Sequence, residues 1–147
     1  MKKLAIGMCV AVLSVALAHA DDVVFHPEVM SKDDLSGKMF ERPDTLRVPG
    51  QQTEALDVTS LLSSDGKFAS GMYQSGPSRW EIDEPYGVDE FMYFLTGSVT
   101  LTSTDGKVHT IGPGEAVTIP KEWTGIWETQ GYTKIWVIYS EDGSALK

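Results

Sequence analysis

Carboxylates crowd one stretch of this chain: Glu81, Asp83, Glu84 and Glu90 fall close together, with Tyr86 among them. Oxygen donors of this kind suit hard cations such as Mg, Ca or Mn better than Zn. Glu84 and Glu90 would instead form an acid–base pair if the intervening chain brought them together across a cavity. A buried Glu90 is equally readable as a satisfied polar group of the core, beside Tyr93 or Arg79. Burying it unpaired is costly, so a partner is expected on either reading. Nucleophilic chemistry has less to work with. No Ser stands with a matched His and acid, and glycine-rich phosphate loops are missing, which leaves acyl and phosphoryl transfer without a motif.

Cysteine and histidine chemistry is limited by the first twenty residues. Met1-Lys2-Lys3 is followed by an apolar run from Leu4 to Ala18, then Ala18-His19-Ala20 and the acidic pair Asp21-Asp22. This is the three-part layout of a secretory signal peptide, residues 1–20, and the run is short for a spanning helix. Cleavage after Ala20 would remove Cys9, the single cysteine, and with it disulfides and thiolate chemistry. Two histidines would remain, His26 and His109, too few for a three-histidine metal site. Both read as ordinary surface or half-buried residues.

The expected location is therefore periplasmic or secreted. The mature part would carry 10 Lys and Arg against 21 Asp and Glu, a net charge of about −11 that repels nucleic acid and anionic lipid. No nucleic-acid partner is expected, and no membrane once the signal is gone. The length suits one domain with a real core.

The elements that must position these residues are strands. Residues 21–54 read as an irregular amino-terminal arm, with Pro27, Pro43 and Pro49 opposing long helices and central strands. Ser31 to Leu35 is suited to one short helical turn. From residue 55 to 147 the pattern is β. Asp65-Gly66 and Asp105-Gly106 supply hairpin turns, the second flanked by Val99 and Leu101 alternating with Thr100 and Thr102. Phe91–Leu95 and Ile135–Tyr139 are continuous apolar runs, read as strands buried on both faces. Eight or nine short strands punctuated by Gly and Pro predict an all-β sandwich or barrel.

Two segments sharpen that expectation. In Glu90-Phe91-Met92-Tyr93-Phe94-Leu95-Thr96-Gly97 a glutamate precedes a strand that a glycine ends seven residues on. In Gly112-Pro113-Gly114-Glu115-Ala116-Val117-Thr118-Ile119-Pro120 a glycine-rich turn enters a strand that a proline closes. The pair resembles the two motifs of the cupin superfamily, single jelly-roll β-barrels with an internal cavity, over about Gly66 to Tyr139. Trp123-Thr124-Gly125-Ile126-Trp127-Glu128, with Asp89-Glu90 and Lys134 to Tyr139, is similar to the branch that groups ureidoglycine aminohydrolase-like and ethanolamine-utilisation-type cupins.

Many cupins hold a divalent metal through His-x-His, a glutamate and a third histidine. At those positions the resemblance places Glu84, Tyr86, Glu90 and Gly125, so only Glu90 is kept in type. No metal or other cofactor is expected, a carboxylate-held divalent ion being the less favoured alternative. The same positions should still face the cavity. Glu84, Tyr86, Glu90, Met92, Gly125 and Trp127 are the candidate ligand-binding residues: Gly125 opening room, Tyr86 and Trp127 offering aromatic faces, Glu84 and Glu90 negative charge. Such a cavity suits a small cationic or polyhydroxylated molecule. Trp80, Trp123 and Trp136 read first as core or interface packing, and Trp127 equally as packing or cavity wall. The expected protein is an exported small-molecule-binding cupin, a homodimer through its arm or an edge strand. The alternatives are a metal-dependent enzyme of the ureidoglycine aminohydrolase-like type with an atypical carboxylate site, and a non-catalytic accessory protein.

Overall fold

The computed structural model describes residues 24–144 and residue 146. The predicted signal peptide lies outside the described residues. The segment before the barrel is short but not wholly irregular. Ser31 and Asp34 form a reciprocal capping box that starts helix α1, Lys32–Leu35. A 3-10 turn follows at Lys38–Glu41, and then a first strand, β1, at Leu46–Val48.

The remaining strands are β2 (Ala55–Leu62), β3 (Phe68–Ser75), β4 (Ser78–Ile82), β5 (Asp89–Ser103), β6 (Val108–Ile111), β7 (Ala116–Ile119) and β8 (Gly125–Tyr139). All pair antiparallel in one eight-stranded sheet. Asp65-Gly66 closes β2 onto β3 and Asp105-Gly106 closes β5 onto β6. Both glycines have positive φ, as the dipeptides predict.

The long strands β5 and β8 pair along their whole length and bend the sheet onto itself. Where they bend, Gly97 has φ 66° and lies against Gly131 and Tyr132. A Cβ at Gly97 would come within 2.0 Å of the Gly131 carbonyl oxygen, so only glycine fits. On one side of the bend, β1, β2, β3 and β7 join the carboxy-terminal half of β8 and the amino-terminal half of β5. On the other, β4 and β6 flank the opposite halves. This is the single jelly-roll barrel that the two motifs imply.

Met92, Phe94, Val99, Leu101, Ile111, Ile119, Trp127 and Tyr132 form the core inside the barrel. A second cluster sits outside it, where Met39 and Phe40 cover Val58 and Met72, with Leu35, Leu95 and Ile135 packed around them. That cover is incomplete and corrects one expectation. Phe91–Leu95 is not buried on both faces: Met92 and Phe94 point inward, while Phe91 and Tyr93 remain 43% and 38% exposed. Tyr139, at the end of the second apolar run, is 48% exposed. The cover packs on Leu95 and Ile135 and leaves Phe91, Tyr93 and Tyr139 open.

Candidate cavity site

Facing residues in register share a side of the sheet. Asp57 on β2 stands opposite Tyr73 on β3, Tyr73 opposite Lys134 on β8, and Lys134 opposite Phe94 on β5, which makes one inward row. The next inward row runs Thr59, Gly71, Trp136 and Met92. Gly71 has a packing reason: a Cβ there would meet the Trp136 ring at 2.5 Å. These rows wall a cavity of about 800 Å3. Trp80 and Leu46 stand at its solvent end, both more than half exposed.

Glu90 and Lys134 form the floor. The lysine stem runs back along the strand past Met92, so that Nζ donates to Glu90 Oε1 at 2.6 Å and lies 3.0 Å from Met92 Sδ. The rings of Tyr73, Trp127 and Tyr132 surround the ammonium at 5.2–5.9 Å, within cation–π range. Glu90 is 3% exposed, and its other oxygen, Oε2, accepts the Tyr86 hydroxyl. Both carboxylate oxygens are thus engaged, as burial of a charge demands.

Tyr86 is held from its own backbone: its N–H donates to Trp123 O, and the next N–H, of Gly87, donates to Lys121 O. Its ring lies parallel to Trp127 at 6.3 Å and edge-on to Trp123. Burial pushes the Tyr86 phenol well above its ordinary value, and the neighbouring Glu90 charge adds to this. Burial raises Tyr132 and Tyr73 in the same way. All three hydroxyls are therefore neutral at physiological pH, that of Tyr86 already donating to Glu90. Across the cavity Asp57 accepts from Trp136 Nε1 at 3.1 Å. Burial raises its carboxyl, and the Trp136 bond and the Lys134 charge oppose that rise.

Of the six candidate residues, the structure brings four together. Tyr86, Glu90 and Trp127 line the cavity, and Met92 lies beneath it against the lysine. Glu84 does not join them, because it sits on an exposed segment between β4 and β5. Gly125 does not open the cavity. It begins β8 beside Ile82 and Ser103, where a Cβ would meet the Thr102 carbonyl oxygen at 2.3 Å, and it borders a separate shallow depression. Lys134, Asp57, Tyr73 and Trp136 escape motif reasoning. A charged residue sharing strand parity with Tyr132 and Trp136 is the signal that would have exposed Lys134.

The residues do not fit the divalent ion held by many cupins. Glu84 is outside, Gly125 has no donor, Tyr86 donates its hydroxyl hydrogen bond to Glu90, and the remaining carboxylate faces a fixed ammonium. Both histidines outside the predicted signal are exposed, and no cluster of three His, Cys, Asp or Glu residues occurs among the described residues.

Residues 62–134 match the family described as the EutQ-like cupin domain. No curated protein matches the chain. Among solved structures, a protein described as ethanolamine utilization protein Q from Salmonella typhimurium LT2 is 19% identical, over 65% of this chain and 77% of its own, with a TM-score of 0.51. A protein of unknown function from Rhizobium leguminosarum bv. viciae 3841 is 27% identical over 63% and 85%, with a TM-score of 0.51. Ectoine synthase from P. lautus is 15% identical over 83% and 81%, with a TM-score of 0.57. The family match, carried on one antiparallel barrel with an internal cavity, defines a protein of the cupin superfamily. Within it, the domain belongs to the EutQ-type branch.

Proposed function

We propose that this cupin is exported and binds a small polar or cationic molecule in its barrel, at a site without a resident metal ion. The observation that carries the reading is the Glu90–Lys134 ion pair at the base of an aromatic-walled cavity of about 800 Å3. The ammonium takes the charge-neutralising part that a metal plays beside such a glutamate, and the rings leave room and polarisable surface for a guest. The volume argues against a filled barrel with a purely accessory role. Export rests on the Met1 to Ala20 pattern. The reading retains a homodimer, supported by Phe91, Tyr93 and Tyr139 exposed on strands β5 and β8; sedimentation equilibrium checks it, and a strictly monomeric protein removes it.

The binding reading is tested by thermal shift with panels of small amines, polyols and sugars. A guest raises the unfolding temperature in proportion to its occupancy. Thr59→Phe, which fills the cavity wall, should abolish that rise while leaving the protein folded. No stabilisation by any panel member, or stabilisation that survives the filled cavity, overturns the proposal.

A further inference from the structure

Glu90 is not free to anchor a guest, since Lys134 and Tyr86 take both of its oxygens. Asp57 is differently placed. It faces the cavity from β2, and its one side-chain hydrogen bond among the described residues comes from Trp136 Nε1. It makes no ion pair with a described residue. The Lys134 backbone stands two strands away in the same inward row, roughly 10 Å across the sheet at the usual strand spacing, and its ammonium lies along the strand at Glu90. The lysine ammonium has three donors, of which Glu90 and Met92 take two. Two carboxylates, Asp57 and Glu90, face one ammonium, so the cavity has one negative charge in excess. Glu81, also at the lining, is already paired with Arg79.

We propose that Asp57 anchors the ammonium group of a compact zwitterion, a small amino acid or a molecule of that kind, whose acceptor oxygen is held by the Lys134 ammonium. The inference rests on the cavity being a small-molecule site and deepens it. The excess negative charge selects an ammonium over a carboxylate as the first requirement. Opposite charges on two walls of one cavity select a compact molecule with opposite polarity at its two ends. Tyr73 lies between the two anchors in the row and Trp136 packs beside Asp57, giving the ammonium an aromatic face to approach. Burial of the unpaired Asp57 carboxylate fits this role, because a cation arriving there relieves a desolvated charge.

The test is an NMR titration of the 15N-labelled protein at neutral pH with 4-aminobutyrate, butylamine and butyrate, read at the Trp127 and Trp136 indole signals. The expected order of affinity is 4-aminobutyrate, then butylamine, with butyrate weakest. Asp57→Asn keeps the shape and the acceptor for Trp136, and should weaken both amines by about tenfold or more with no loss for butyrate. Asp57→Glu, which restores the charge, should recover part of the affinity. Unchanged amine binding by Asp57→Asn overturns the inference, as does a wild-type preference for butyrate, which needs no variant to fold. If glycerol or glucose moves the indole signals and no amine does, the cavity reading stands and this inference falls. If no probe moves them, both fall.

Discussion

Replacing Lys134 by methionine removes one partner of a pair whose side chains are 6% and 4% exposed. Methionine matches the stem in length and flexibility and packs against the same rings, so little of the loss should come from a cavity. What remains is the Glu90 carboxylate, out of water, with the Tyr86 hydroxyl as its one side-chain donor. Breaking a buried pair from one side costs about 3–5 kcal/mol, and for a domain of this size that lowers the unfolding temperature by roughly 10 °C or more. The second half of the cycle is Lys134→Met with Glu90→Gln. With both charges gone, the double variant should recover most of the lost stability, well short of the sum of the two single losses. Urea unfolding midpoints of the wild type, both single variants and the double variant give the coupling. A Lys134→Met loss below about 1 kcal/mol, or strict additivity, would refute the claim that this pair is a desolvated, mutually dependent unit.

Gly97→Ala places a methyl group on the Gly131 carbonyl at a positive-φ bend and should cost about 3 kcal/mol or more, measured by chemical denaturation. Phe40→Ala uncovers Val58 and Met72 on the outer sheet face and should cost about 3–5 kcal/mol, a loss that dispensable packing of the segment before the barrel would not produce. Asp57→Asn tests the raised carboxyl. A group whose folded value is raised contributes stability that is full below its unfolded value, near 3.8, and is lost as pH rises through the folded value. Glu90 raises it further and Lys134 lowers it, with the neutral Tyr73 hydroxyl between them in the row. Melting curves across pH should therefore show Asp57→Asn gaining on the wild type as pH rises above about 4; a gap independent of pH would refute the assigned direction.

Local signals in the sequence determined the strand-rich fold and several of its turns. Asp65-Gly66 and Asp105-Gly106 need only their own backbone preferences to close hairpins, and the capping box at Ser31 and Asp34 is complete within four residues. The glycine at 97 and the motif around Glu90 were legible from their spacing, although what forbids a side chain at 97 is the Gly131 carbonyl across the sheet. Strand parity also put Glu90, Met92 and Trp127 on the inward face. Parity assigns a face, but not a place along it. Gly125 shares the parity of Trp127, yet stands at the far end of β8, outside the cavity lining. Tertiary structure alone decided which charge Glu90 meets: its partner lies 44 residues away and reaches it along the strand by a flexible stem. It also decided that the cover over the sheet stops short of Phe91. Those outcomes depend on how β2, β3, β5 and β8 are stacked side by side, and pairing between distant segments leaves no periodic trace in any one of them.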